Sequence, residues 1–180
     1  LLNHIIQDAS LGMNMSDLMV SYLQLMGVEY VFGIPGGSIE PFFEAVARNQ
    51  SKGGPEMILT RHESGAAFMA DGYARESQKL GVCCATTGPG TTNLITGLAC
   101  SYFNHIPVLV ITAQTPLPLL GRGAFQESSY RSMDVVNMLE KCTQFSTLVS
   151  HPAQLIPCLC EAISKALDHR AGPVHLSIPV

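Results

Sequence analysis

The sequence predicts an α/β domain with a doubly wound, mainly parallel sheet and helices on both faces. Short apolar segments alternate with helical patterns along the chain, and several segments, such as residues 107–113, are unbroken apolar runs. Such runs are typical of parallel strands that helices cover on both faces. The charged fraction of only 13% indicates that another subunit or domain covers part of the surface.

Each strand is predicted from a short apolar segment, and each helix from a longer amphipathic pattern. The predicted strands are residues 29–34, 56–60, 81–87, 107–113, 145–149 and 172–180. The predicted helices are residues 17–26, 39–49, 63–78, 91–102, 132–141 and 152–169. Residues 1–14 are predicted to form a loosely ordered leader, and residues 15–180 a single domain.

Local signals set the boundaries of these elements. Ser16 is predicted to cap the first helix, which Gly27 ends. One interpretation of the turn at residues 86–93 is that Thr91 or Thr92 caps the fourth helix. The segment 114–128 is rich in Pro and Gly and is predicted to be a loop. Loops of this length in compact domains are usually functional.

Composition narrows the class of partner. The net charge is −4 without a cluster of Lys and Arg, which argues against nucleic acid and acidic membrane surfaces. No apolar run has the length that spans a membrane.

The six cysteines lack the spacing of a disulfide or zinc framework, and no His or Cys spacing suits a metal site. We therefore expect buried, reduced cysteines, with Cys83 and Cys84 on opposite faces of a strand, and a cytoplasmic location.

Candidate ligand sites lie in the turns after strands, because doubly wound sheets bind ligands at the carboxyl ends of their strands. Three such turns have the sequences GIPGGS, TRHESGAA and TTGPGTTN. The loop that contains Gln114, Arg122, Phe125, Gln126 and Glu127 is a fourth candidate. For the two glycine-rich turns, a plain turn with a helix cap is the alternative to close approach of a ligand.

Glu63 is the most specific candidate, since it stands where an apolar strand ends and a helix of small residues begins. Its structural alternative is a helix-start acid that interacts favourably with the helix dipole. His62 beside it is interpreted as structural, and Asp71 as part of a solvated face or a salt bridge with Arg75.

Two nucleotide-binding patterns fail in the turn after the third strand. Asn93 occupies the third glycine position of the dinucleotide fingerprint, and Ala113 stands where an acidic residue is required. The Walker pattern is absent because no Gly-Lys-Ser/Thr occurs in the chain. A nucleotide-binding α/β domain is therefore the weakest of the functions considered.

Six segments in this order resemble the amino-terminal, pyrimidine-binding domain of thiamine-diphosphate enzymes, and the acetolactate synthase branch in particular. These segments are VFGIPGGS, RHESGAAFMADGYAR, TTGPGTTN, IPVLVITAQ, GAFQE and GPVHLSIP. The resemblance runs from about Met15 to Val180. It implies a 2-keto acid carboligase or decarboxylase, a transferase or lyase. A non-catalytic binding or regulatory module with the same fold is the alternative.

The resemblance also implies roles for individual residues. Glu63 is expected to be catalytic, because its family counterpart hydrogen-bonds a ring nitrogen of the aminopyrimidine and promotes the imino tautomer. Small neighbours such as Gly65 and Ala66 would let the flat ring come close. The other residues expected to bind the cofactor are Pro35, Gly36, Gly37, Pro89 and Asn93. Phe125 and Gln126 are expected to help form the substrate pocket.

The family's diphosphate and magnesium motif, Gly-Asp-Gly followed by a distant Asn, is absent from this chain. We therefore expect thiamine diphosphate to be shared with a diphosphate-binding domain of a neighbouring subunit, which holds Mg²⁺. The resemblance implies a homodimer or homotetramer and is compatible with FAD in the full-length protein. The chain itself is expected to be an inactive part of that protein. Val180 replaces a Lys typical of acetolactate synthases, which is expected to disfavour acetolactate as the product.

Overall fold

The computed structural model describes residues 14–179, and it contains a six-stranded sheet in which every described pair of neighbouring strands is parallel. The strands are β1 Tyr30–Gly33, β2 Glu56–Leu59, β3 Gly81–Ala85, β4 Val108–Gln114, β5 Phe145–Leu148 and β6 Val174–Pro179. Their order across the sheet is β2-β1-β3-β4-β6-β5. The predicted fold class is therefore confirmed.

Helices cover both faces of the sheet. They are α1 Met15–Leu25, α2 Glu40–Gln50, α3 Glu63–Ser77, α4 Pro89–Asn93, α5 Ile95–Phe103, α6 Val135–Glu140 and α7 Leu155–Ala166. Two 3-10 turns lie at Leu117–Leu119 and Pro152–Gln154. The apolar core between α1, α2, α7 and the sheet includes Cys84, and the core under α3, α5 and α6 includes Cys83. These two adjacent cysteines point to opposite faces, as predicted.

Several predicted boundaries are wrong for local reasons. Asn14, not Ser16, caps α1, because its side chain accepts a hydrogen bond from the Asp17 amide at 2.8 Å. The remainder of the predicted leader lies outside the described residues. The predicted helix at residues 91–102 begins earlier, at Pro89, which is well suited to a first helical turn. It is also divided at Leu94 into α4 and α5.

Other corrections concern side-chain caps. Neither Thr91 nor Thr92 caps a helix, since their hydroxyl groups donate to the carbonyl oxygens of Thr86 and Pro89. The helix predicted at residues 132–141 begins only at Val135. It starts there because the side chain of Asp134 accepts a hydrogen bond from the Asn137 amide, in the manner of an N-cap.

The prediction of buried cysteines is correct for half of them. Cys83, Cys84 and Cys142 are buried, whereas Cys100, Cys158 and Cys160 are partly exposed. All six are free thiols. Burial raises the pKa of Cys83 to about 12 and that of Cys142 to about 11, which makes both thiols poor nucleophiles.

Asp71 joins α3 to α5. Its carboxylate accepts hydrogen bonds from Arg75 Nε at 2.6 Å and from Ser101 Oγ at 2.7 Å. The predicted salt bridge with Arg75 is therefore confirmed. The predicted solvated face is wrong, because Asp71 is buried where the two helices pack together.

The strand order reverses direction between β1 and β3, because β2 lies on one side of β1 and β3 on the other. At such a point, the connections leave neighbouring strands on opposite faces and open a crevice at their carboxyl ends. The turns at residues 34–39 and 86–88 border this crevice.

No helix among residues 14–179 has both the length and the apolar character needed to cross a membrane.

Candidate functional site

The turns after β1 and β3 approach each other closely. A Cβ atom on Gly36 would lie 2.8 Å from the Cβ atom of Thr86, so a larger residue at this position would force the two turns apart. Pro35 and Gly37, on either side of Gly36, are exposed. The turn thus offers a backbone surface without large side chains at the mouth of the crevice.

Glu63 enters the site as the first residue of α3, and its side chain is partly buried. The capping position is taken by the preceding residue, since Nδ1 of His62 accepts a hydrogen bond from the Ser64 amide at 3.2 Å. The structural interpretation of His62 is therefore confirmed. Because His62 supplies the side-chain cap, the Glu63 carboxylate is available for other contacts.

Asn93 holds one oxygen of that carboxylate. Its Nδ2 atom donates a hydrogen bond to Oε2 of Glu63 at 2.9 Å. A Cβ atom on Gly90 would lie 3.4 Å from Oε1 of Glu63 and 2.8 Å from Cγ2 of Thr86. Within residues 14–179, Oε1 accepts no hydrogen bond, so the side of the carboxylate next to Gly90 keeps an acceptor open to a ligand.

The loop after β4 reaches the same crevice. Gly88, which precedes α4, has a φ of +61°, and a Cβ atom there would lie 2.9 Å from the carbonyl oxygen of Gln126. Gln126 also has a positive φ, of 56°. The adjacent Phe125 is 88% exposed. The structure therefore places the two residues predicted for the substrate pocket beside the turn that leads to Asn93.

The structure brings most of the predicted site residues to one edge of the sheet. Gly36 packs against Thr86, and Asn93 bonds Glu63. Pro89 is exposed at the start of α4. Thr86, which packs against both Gly36 and the Gly90 position, was missed by sequence reasoning. The available signal was its place as the first residue after a buried strand, two residues before the Gly-Pro-Gly turn.

Metal ligands are not grouped in this part of the chain. Among residues 14–179, no three or more His, Cys, Asp or Glu side chains lie together in a way that could hold a metal ion. Glu63 is accompanied at the crevice by an amide, a hydroxyl group and glycines. This donor set suits a polar organic ring better than a cation.

A family model provides the deciding comparison. The model described as "Thiamine pyrophosphate enzyme, N-terminal TPP binding domain" matches residues 13–138. The chain belongs to this family. The match covers every element from α1 to the start of α6 and includes all the candidate site residues.

Curated relatives narrow the branch of this thiamine pyrophosphate enzyme family. The chain is 46% identical over 167 residues to the acetolactate synthase isozyme 2 large subunit of Escherichia coli, covering 93% of the chain and 29% of the relative. It is 44% identical over 161 residues to an acetolactate synthase of Arthrospira platensis, with 89% and 27% covered. For the chloroplastic acetolactate synthase of Arabidopsis thaliana, it is 38% identical over 164 residues, with 91% and 23% covered. The chain thus spans less than a third of the length of these relatives.

The residues present fit the pyrimidine end of thiamine pyrophosphate. A flat ring can approach Oε1 of Glu63 because Gly90 carries no side chain. On the turn after β1, Gly36 also has no side chain and lies close to Thr86. The same residues offer no basic side chain to a diphosphate. Glu63, Gly90 and Gly36 therefore fit the ring of this family's cofactor.

Proposed function

We propose that this chain is the N-terminal, pyrimidine-binding domain of a thiamine-diphosphate-dependent 2-keto acid carboligase or decarboxylase, similar to acetolactate synthase. One observation carries the proposal. Glu63 begins α3 beside the crevice at which the strand order reverses, with Oε2 held by Asn93 and Oε1 open beside Gly90. A carboxyl group placed in this way can share a proton with a ring nitrogen through Oε1.

Glu63 is proposed to exchange a proton with the aminopyrimidine through Oε1. Bound thiamine diphosphate supplies the electron sink for decarboxylation of a 2-keto acid. The chain's task is to hold the ring so that the proton is exchanged at the nitrogen next to Oε1 of Glu63. Asn93 orients the carboxylate for this contact, and the ring itself would exclude water from it, which strengthens the hydrogen bond.

Other residues are proposed to shape the space around the ring. Pro35, Gly36 and Gly37 would lie near the reacting carbon, and Pro89 would contact the pyrimidine alongside Asn93. Phe125 and Gln126 would contact the 2-keto acid. The support is that the three segments carrying these residues meet at one crevice, through the Gly36–Thr86 and Gly88–Gln126 contacts.

A neighbouring subunit is proposed to complete the site. The outer face of α3 exposes Phe68 at 45% and Met69 at 42%, and α5 beside it exposes Phe103 at 80%. Exposed apolar patches of this kind mark interfaces. Glu63 begins the helix that carries two of these residues, so a partner that covers the patch would also approach the site.

We propose that this partner is the diphosphate-binding domain of a second subunit, within a homodimer or homotetramer. That domain would hold Mg²⁺ and the diphosphate, and FAD, where the full-length protein carries it, would also bind outside this chain. The buried free thiols of Cys83 and Cys84 suit a reducing compartment such as the cytoplasm.

The product is a separate proposal. Val180 stands where acetolactate synthases typically carry Lys. We therefore expect the full-length protein to form acetolactate from pyruvate slowly, compared with another thiamine-dependent reaction of the same substrate.

The activity is tested with the full-length gene product. We expect it to consume pyruvate or another 2-keto acid and to release CO₂ only when both thiamine diphosphate and Mg²⁺ are present. This chain alone should show no turnover. The alternative function, a non-catalytic binding or regulatory module, predicts that the full-length protein binds a partner or cofactor without turnover. Cofactor-independent consumption of 2-keto acids would contradict both.

A further inference from the structure

The loop between β4 and α6 buries three consecutive polar side chains. Glu127 is 9% exposed, Ser128 1% and Ser129 6%, whereas Phe125 is 88% exposed. The loop contains no strand and only one 3-10 turn. Buried polar side chains require hydrogen-bond partners. The conformation of this loop is therefore fixed by specific side-chain contacts and not by a helix or strand.

Glu127 is the centre of these contacts. Its Oε1 atom accepts hydrogen bonds from the Ser129 hydroxyl group and the Gly121 amide, and its Oε2 atom accepts one from the Gly123 amide at 3.0 Å. The two glycines have φ values of +75° and +72°, a left-handed conformation that favours glycine. This backbone aims both amides at one carboxylate.

The charge of Glu127 is part of this arrangement. Hydrogen bonds to an ionised carboxylate are stronger than bonds between neutral groups. The hydroxyl group of Ser129, followed by the Gly121 amide, lowers the pKa of Glu127. The ionised side chain therefore holds residues 121–129 as one folded unit.

Ser128 attaches this unit to the sheet and to the turn that precedes α4. Its amide and hydroxyl group donate to Oε1 of Gln114, at the end of β4, across 3.4 and 3.2 Å. Its hydroxyl oxygen accepts from the Gly88 amide at 3.4 Å. Gly88 immediately precedes α4, which begins at Pro89 and ends at Asn93. The loop is thus joined to the same turn that presents Asn93 to Glu63.

We infer that Glu127 is a positioning residue for substrate binding: it holds Phe125 and Gln126 against the Gly88 turn and so sets the substrate pocket without contacting the substrate. This inference rests on the proposed function. Gln126 is the residue immediately before Glu127, and its carbonyl oxygen packs on Gly88. The carboxylate contacts of Glu127 all lie within residues 121–129, whereas Glu63 is oriented by Asn93. The two carboxylates therefore serve separate steps, substrate binding and cofactor activation.

The test uses Glu127→Gln in the full-length gene product, with thiamine diphosphate, Mg²⁺ and pyruvate. The carboxamide keeps the size of the side chain, but its NH₂ group faces an N–H or O–H donor. We expect kcat/KM for pyruvate to fall by about 10- to 100-fold, the size of loss that small misplacements cause, mainly through KM. Hydrogen–deuterium exchange at the thiazolium carbon of the bound cofactor should keep its wild-type rate.

Two further variants complete the test. Glu140→Gln is the matched control, because Glu140 is exposed on α6 and its side chain pairs only with Lys141 among the described residues; its KM should equal that of the wild type. Ser129→Ala removes a single donor to Glu127 and should raise KM less than Glu127→Gln does. It also tests the inference if Glu127→Gln fails to fold.

Each outcome is decisive. A folded Glu127→Gln protein with wild-type KM overturns the inference and leaves the proposed function intact. A lower kcat at unchanged KM also overturns it, since a purely structural defect reduces the active fraction and does not change KM. Slower exchange at the thiazolium carbon would move Glu127 to cofactor activation. A wild-type protein without thiamine-dependent turnover would overturn the proposed function itself, and this inference with it.

Discussion

Asn93, the last residue of α4, donates a hydrogen bond across 2.9 Å to Glu63, the first residue of α3. The two residues are 30 positions apart. They meet because the parallel strands β2 and β3 deliver both segments to the same edge of the sheet. The bond fixes one carboxylate oxygen and leaves the other beside Gly90.

Asn93→Ala is expected to slow cofactor activation without removing the Glu63 carboxylate. Hydrogen bonds to charged groups are worth about 1.5–3 kcal/mol, so hydrogen–deuterium exchange at the thiazolium carbon should slow by about 10- to 100-fold in the loaded full-length protein. Asn104→Ala is the control, because Asn104 is exposed and bonds Cys100 at the end of α5. Wild-type exchange in Asn93→Ala would show that other groups orient Glu63.

Gly88→Ala is expected to destabilise the domain more than Gly27→Ala does. Both glycines have positive φ, +61° and +71°, a backbone conformation in which an L-residue is strained. A Cβ atom on Gly88 would also lie 2.9 Å from the Gln126 carbonyl oxygen, whereas one on Gly27 meets nothing within 4 Å. Urea denaturation measures both losses. Equal losses would mean that the Gly88–Gln126 contact relaxes freely.

Sequence reasoning predicted the sheet better than the site. The buried strands β3 and β4 were found because covered parallel strands are continuous apolar runs, and Glu63 was found because a carboxylate at a strand-to-helix turn is unusual. The bond between Glu63 and Asn93 was not predicted, because a contact between residues far apart in sequence depends on the strand order. The burial of Asp71 was missed for the same reason, since its partner Ser101 lies on another helix.

Local competition explains the remaining errors. Asn14 and Ser16 are both good helix caps, and only the folded backbone selects Asn14. The break between α4 and α5 has no glycine or proline at Leu94 to announce it. The contacts of Glu127 were also hidden, because the amides of Gly121 and Gly123 carry no side-chain signal.

His175 is expected to make the domain less stable at acidic pH. It is fully buried on β6, with Thr112 Oγ1 at 2.8 Å from Nε2 and Ser146 Oγ at 2.8 Å from Nδ1. Burial lowers its pKa to about 3, while an unfolded His titrates near about 6.5. Below about pH 6.5, the unfolded state therefore binds a proton that the folded state refuses, so the free energy of unfolding falls as pH falls.

This contribution is fully present above about pH 6.5 and is lost at up to about 1.4 kcal/mol per pH unit as pH falls towards the folded pKa. His175→Gln cannot titrate in this range, so urea denaturation at neutral and mildly acidic pH should show a shallower pH dependence. His105→Gln, at an exposed position, controls for the loss of a histidine. An unchanged slope in His175→Gln would mean that other groups cause the acid sensitivity.

Phe68→Asp is expected to weaken assembly of the full-length protein. Phe68 is 45% exposed on α3, beside Met69, and a carboxylate there would be buried without a partner in the proposed interface. Leu167→Asp is the matched control, because Leu167 is 51% exposed at the end of α7, on the opposite face of the sheet. Sedimentation velocity should show dissociation for Phe68→Asp only. The same assembly state in both variants would locate the interface elsewhere.

The central claim is that Glu63 activates the cofactor, and hydrogen–deuterium exchange at the thiazolium carbon of the loaded full-length protein tests it most directly. Glu63→Gln keeps the shape of the side chain and can still accept the Asn93 bond, but it cannot exchange a proton with a ring nitrogen. Glu40→Gln, at the first residue of α2, controls for the loss of a helix-start acid. We predict that exchange slows by about 10²–10⁴-fold in Glu63→Gln, the usual value of a well-placed acid–base group, and is unchanged in Glu40→Gln. Wild-type exchange in a folded, cofactor-bound Glu63→Gln protein that loses only about 0.3–1 kcal/mol of stability would contradict the account and reduce Glu63 to a residue that stabilises a helix.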